Sequence, residues 1–180
     1  MVVVFQSLFV LGGLIILILL AFRMKGEKAV INMPENYKEL LEDYVQFYRQ
    51  LDEADKRLFE KRVEKFLIDV KITGVNAEIE EVDRILIAAG AIIPVFIFSD
   101  WEYINLQEIL LYPGSFNEEF DQAGTDRYIA GMVGTGAMQH KMILTKWQLR
   151  QGFINNNDTH NTAIHEFVHL VDKMDGTMDG

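Results

Sequence analysis

Two histidines four residues apart with a glutamate between them, His165-Glu166-Phe167-Val168-His169, are the part of this chain best equipped for chemistry. On a helix, residues i and i+4 share a face, so both imidazoles can close on one metal ion. Zinc suits nitrogen donors of this kind; it polarises a carbonyl and acidifies water. Glu166 stands about 100° further round the helix. That is too far to join the same ligand set, yet well placed to take a proton from metal-activated water. The expected reaction is hydrolysis of an amide bond in a peptide or protein substrate. His165 and His169 are the expected ligands, Zn2+ the cofactor and Glu166 the general base.

Such a triplet needs a rigid support. Phe167, Val168, Leu170 and Val171 are apolar, so the sequence predicts a helix over 159–173 that buries itself and aims its polar groups at one spot. The loop 152–158, with three consecutive asparagines, delivers its N-cap. The remaining histidines read differently. His140 precedes a predicted strand, and His160 lies five residues before His165, off the ligand face; both are expected as surface or capping residues. A third protein ligand is open at this point, with Asp175 and Asp179 as candidates.

The elements around the motif follow from periodicity. Pro34 suits a first helical turn, and Leu40, Leu41, Tyr44, Val45, Phe47, Tyr48 and Leu51 recur at helical spacing. Asp52 can cap a second helix whose buried stripe is Leu58, Phe59, Arg62, Val63, Phe66, Leu67 and Val70. Thr73-Gly74 breaks the pattern. A third helix over 81–93 follows, with Val82, Ile85, Leu86, Ala89, Ile92 and Ile93 expected inside. Its Ala88-Ala89-Gly90-Ala91 run allows close approach of a neighbour. Residues 108–112 and 141–145 read as strands. Gly134 and Gly136 lack the rest of a dinucleotide fingerprint. Helices, then short strands, then the motif helix predict an α+β class: a largely helical domain over 34–180 with a small sheet.

Charge narrows the partners. The 180 residues carry a net charge of −10, and every Lys, Arg, Asp and Glu lies after Phe22. An acidic surface without a basic, aromatic-rich stripe repels phosphates, so no nucleic acid is expected as partner. With no cysteine, disulfides and thiolate zinc sites are excluded.

Residues 2–22 carry no charge, and only Gln6 and Ser7 interrupt them as polar side chains. At 1.5 Å per residue the stretch reaches roughly 31 Å, the thickness of a hydrocarbon core. A cleaved signal peptide would carry a basic start and a shorter apolar run. Arg23, Lys25 and Lys28 follow the stretch. The expectation is therefore a single-pass transmembrane anchor over 1–23, a linker over 24–33 and a cytoplasmic domain.

The continuation after the motif separates the zinc-peptidase branches. Metzincins extend HExxH with a glycine and a third histidine, where this chain has Asp172 and Asp175. Gly176-Thr177-Met178-Asp179 matches a short element of aspartate-liganded enzymes and keeps Asp179 a minor candidate. More of the chain resembles the Mlc titration factor A family of zinc-dependent peptidases. The likeness covers the motif with its Asp175-Gly176 and Asp179-Gly180 turn, Leu111-Tyr112-Pro113-Gly114-Ser115-Phe116 and Met142-Ile143-Leu144-Thr145-Lys146-Trp147. It extends to the amphipathic helix around 59–67 and the Ala-rich helix around 87–92.

The resemblance implies a gluzincin-like, zincin-type fold and aminopeptidase-like activity. It also implies a regulatory protein partner, in the family's best-known case a glucose-responsive transcriptional repressor. By position it makes His165 and His169 ligands and Glu166 the base. Two departures stand out: family members are typically soluble, and their third ligand is a glutamate on a later helix, whereas this sequence stops 11 residues past His169. The chain is therefore expected to lack a C-terminal part. The alternative function is a membrane-tethered binding protein that sequesters a regulatory partner without turnover.

Overall fold

Helix starts are written in the local sequence, and Asp52 is the clearest. Its Oδ1 accepts hydrogen bonds from the backbone N–H groups of Ala54 and Asp55, both at 2.9 Å, satisfying donors that the first turn leaves free. The structure is a computed structural model that describes residues 33–98, 101–115, 140–154 and 161–175, and the backbone alone of 131–133, 174 and 175. These residues fall in one unit, Ile31–Gly180. The expected anchor over 1–23 lies outside them, as does the 134–136 glycine pair. Among the described residues no helix is long and apolar enough to cross a membrane.

In chain order the elements are α1 (Tyr37–Tyr44), α2 (Gln46–Arg49), α3 (Glu53–Asp69), β1 (Lys71–Gly74) and α4 (Glu81–Ile92), which runs into a 3-10 turn at Ile93–Val95. After these come β2 (Glu108–Tyr112), β3 (Gly131–Val133), β4 (Lys141–Thr145), α5 (Lys146–Ile154) and α6 (Thr162–Asp175). The class is α+β, mostly helical with a small sheet, as the sequence led us to expect. The four strands lie in the order β1-β2-β4-β3. β1, β2 and β4 are parallel, and β3 pairs antiparallel with β4 as the edge.

Several expectations need correction. The first helix does not run through to Leu51. It begins at Tyr37 and breaks at Val45, whose backbone is extended (φ −108°, ψ 95°). The β-branched Val45 turns the chain so that Leu41, Val45 and Tyr48 all reach the core. Arg49 closes the break by donating from Nη1 to the carbonyls of Glu42 and Asp43 at 2.7 and 3.1 Å. Thr73-Gly74 is not a mere interruption, because Lys71–Gly74 is a strand whose partner, β2, begins 37 residues later at Glu108. Local pattern cannot reveal so distant a pairing. α5 occupies a stretch in which no helix was expected, and Gly152 sits inside it. Leu58 is exposed rather than buried.

α4 is the core's centre. From Ile85 to Ile92 every residue is buried, so the helix is apolar all round and must be covered on every side. α3 covers it with Phe59, Val63, Phe66 and Leu67. Arg62, expected on that stripe, instead donates from Nη1 to the carbonyls of Val95 and Phe96 at 3.2 and 2.9 Å, capping the 3-10 turn. At the other end α4 opens with a capping box between Glu80 and Asp83.

Across the parallel strands, Glu108 ties the sheet together. It accepts from Thr73 Oγ1 at 2.7 Å and lies 3.1 Å from Lys71 Nζ and 3.0 Å from Lys141 Nζ. The Thr73 hydrogen bond, with the two lysines, holds its carboxyl down to about 2, against an ordinary 4.5. A depressed carboxylate contributes stability that is full above the unfolded value and fades as pH falls from about 4.5 to about 2. Glu108→Gln is therefore expected to cost on the order of 2 kcal/mol at neutral pH and to flatten the stability profile across that acid window. Urea unfolding at a series of pH values checks this; parallel wild-type and variant profiles would refute it.

Candidate metal centre and active site

The histidine-bearing helix is held from behind. Ala163, Phe167 and Leu170 are buried; they lie roughly opposite His165 and His169 on the helical wheel. Phe167 packs edge-on against Phe66, with centroids 5.8 Å apart, and tilted against Tyr103 at 5.4 Å. Tyr103 is itself fixed by donating to the Ala91 carbonyl at 2.7 Å. The small residues of α4 do here what their sizes suggested. A Cβ on Gly90 would lie 3.4 Å from Ala163 Cβ and 3.7 Å from the Phe167 ring, so the neighbour admitted so closely is α6 itself.

With Phe167 turned inward, His165 and His169 must face outward, and both are exposed. This corrects the picture of a helix buried around its polar triplet, and Val168 is likewise exposed. The two imidazoles nevertheless converge. Their Nε2 atoms are 2.9 Å apart, with ring centroids at 4.3 Å and planes at 78°. A hydrogen bond between them needs one nitrogen to donate and the other to accept. Glu166 is half-buried at the margin of the same face. Burial pushes its carboxyl up from the ordinary value, while His165, His169 and Lys173 pull it back.

The donor set fits zinc as two ligands. Two nitrogens on one tetrahedral ion, each about 2.0–2.1 Å from it, sit about 3.3 Å apart, so opening the pair by a few tenths of an ångström would admit the ion. Among the described residues no three His, Cys, Asp or Glu groups gather as a metal site. The side chain of Asp175 and all of Asp179 lie outside those residues. His140 is not near this chemistry: it sits at φ 67°, its Nδ1 lies 3.0 Å from the Asn105 carbonyl, and its own carbonyl accepts from Gln107 and Glu108. His160 and Phe116 lie outside the described residues. Trp147 is exposed on α5.

The N-terminus of α6 carries a residue that the motif did not flag. Asn161 Oδ1 accepts from Ile164 N–H at 3.1 Å, and its backbone carbonyl accepts from His165 N–H at 2.9 Å. Its Nδ2 donates to the Gly152 carbonyl of α5 at 3.0 Å. The available signal was an asparagine directly before a helical apolar pattern. β3, the edge of the sheet, also packs against α6.

The described residues thus place HExxH on a helix that packs beside a small mixed sheet. The chain belongs to the family described as glucose-regulated metallopeptidase M90, whose model matches residues 22–180. It is also 30% identical over 168 residues to an uncharacterized protein of Synechocystis sp., a match covering 82% of this chain and 56% of that protein. This chain thus spans little more than half the length of that relative.

Proposed function

We propose that this protein is a zinc-dependent peptidase in which His165 and His169 hold the metal and Glu166 acts as general base. The observation that carries this reading is the convergence of the two Nε2 atoms at 2.9 Å, with a half-buried carboxylate beside them. Bound there, zinc would supply Lewis acidity to the scissile carbonyl and acidify the attacking water. Glu166 takes the proton from that water and returns it to the departing amine. Burial raises its basicity and so favours the uptake. The buried contacts of Phe167 and Ala163 keep the histidines and Glu166 in fixed relative positions. β3, at the sheet edge beside α6, offers an extended peptide a backbone to pair with.

The finer points of the reading are aminopeptidase-like action, a regulatory protein partner, and a tether through residues 2–22 that leaves the domain in the cytoplasm. The alternative is a membrane-tethered binding protein without turnover. It is favoured by the gathering of only two ligands among the described residues, but it gives Glu166 no chemical use.

The test is hydrolysis by the full chain in detergent micelles, using free-amine chromogenic substrates and an unfolded protein. Turnover that disappears on chelation and returns with zinc supports the peptidase. Zinc bound without turnover of any substrate would overturn it in favour of the binding protein.

A further inference from the structure

We infer that Asn161 is a positioning residue for His165, and that it works by joining two helix ends rather than by capping one. The inference rests on the metal-site reading above. A helix leaves its first N–H groups and its last carbonyls without partners. The Asn161 amide satisfies one of each: Oδ1 accepts from Ile164 N–H at the start of α6, and Nδ2 donates to the carbonyl of Gly152, near the end of α5. Its backbone carbonyl takes the N–H of His165 itself. The first turn of the histidine helix is therefore referenced to α5 through a single side chain.

The joint leaves no slack. A Cβ at Gly152 would sit 2.9 Å from Asn161 Cγ and 3.2 Å from its Cα, so only glycine lets the amide approach. Beside it, Thr162 Oγ1 lies 3.4 Å from Gln148 Oε1, a second, weaker link between the same helices. α5 is in turn fixed to α4 by Arg150 and Lys146 on Asp83, and α4 touches α6 at Gly90. The three helices thus close a triangle, and Asn161 is the corner that bonds directly to the backbone N–H of His165. A residue that only capped α6 would need the acceptor alone. The donor to Gly152 is the part that positions, and Asn161→Asp separates the two functions. Aspartate is an equally good cap, but it cannot donate to a carbonyl and turns a carboxylate oxygen towards one.

The experiment compares the full chain with Asn161→Asp and Asn161→Ala, with Gly74→Ala as a destabilised control remote from α6. Gly74 qualifies because a Cβ there would meet the Ala77 carbonyl oxygen at 2.0 Å. Three quantities are read: Tm, Co2+ affinity from the visible absorption of the bound ion, and the metal-free imidazole 15N spectrum, which reports the shared hydrogen bond of His165 and His169. Asn161→Asp is expected to lower Tm far less than Gly74→Ala. It should nonetheless weaken Co2+ binding roughly 10-fold or more, the scale of losses from residues supporting a ligand, and abolish the shared imidazole signal. Asn161→Ala should lose affinity and stability together.

Wild-type affinity and spectrum in Asn161→Asp would overturn the inference. So would a Co2+ loss in Gly74→Ala as large as that in Asn161→Asp, because stability alone would then explain both. If the wild-type chain binds no Co2+, the metal reading fails, and the imidazole spectrum by itself decides the role of Asn161.

Discussion

Glu166→Gln is expected to abolish most peptide hydrolysis while leaving metal binding and folding intact. The substitution keeps the shape of the side chain and removes only its capacity to accept a proton, and loss of a general base lowers turnover by roughly 10²–10⁴-fold. Zinc affinity should hold, because the proposed ligands are His165 and His169. Stability provides a separate check. Burial raises the Glu166 carboxyl above its ordinary value, so the ionised group opposes folding at any pH above that range. The variant should therefore be at least as stable as wild type near neutral pH, the pattern of a residue kept for chemistry at some cost in stability. Steady-state kinetics with zinc saturation, alongside thermal unfolding, measure all three. A variant with full activity would remove Glu166 from the mechanism, and one that lost zinc would make it a ligand instead.

The second large effect concerns stability alone. Asp83 is fully buried on α4. Its Oδ1 accepts from Arg150 Nε at 2.7 Å, and its Oδ2 lies 3.2 Å from Lys146 Nζ and accepts from the Glu80 N–H at 2.9 Å. Both cations belong to α5, and both are also drawn to Glu80, at 2.6 Å from Lys146 Nζ and 2.9 Å from Arg150 Nη2. Removing the carboxylate leaves two partly buried cations and one capping N–H without their central partner. Asp83→Ala is expected to cost about 3 kcal/mol, or roughly 6–12 °C in Tm for a chain of this size. Because Arg150 loses its purpose once Asp83 is gone, adding Arg150→Ala should cost far less than it does in the wild-type background. Strictly additive losses would show that the two side chains do not act as a unit.

The legible and hidden parts of the fold divide along one physical line. A helix that buries one face leaves a period in the sequence whatever it packs against. The α3 stripe of Phe59, Val63, Phe66 and Leu67, the Asp52 cap and the small face of α4 were therefore foreseen. Apolar runs marked β2 and β4 as strands as well, but β1 and the break in the first helix left no such trace. β1 exists because residues 108–111 pair with it, and the break at Val45 because Leu41 and Tyr48 must both reach the core.

The site divides in the same way. Helical spacing was enough to bring His165 and His169 together. It could not say which flank of the helix would be buried, because Phe167 and Val168 are adjacent and both apolar. The aromatic pocket of Phe66 and Tyr103 decides in favour of Phe167 and leaves Val168 outside. The Asn161–Gly152 joint was equally hidden, since neither residue is unusual until the two helix ends meet.

The most direct test of the central claim is zinc stoichiometry and affinity, measured by titration on the full chain and on His165→Ala. The two-histidine site predicts one zinc per wild-type chain and a collapse of that affinity in His165→Ala, with Glu166→Gln retaining it. Equal zinc binding in wild type and His165→Ala would contradict the account, because the convergence of the two imidazoles would then have no part in holding the metal.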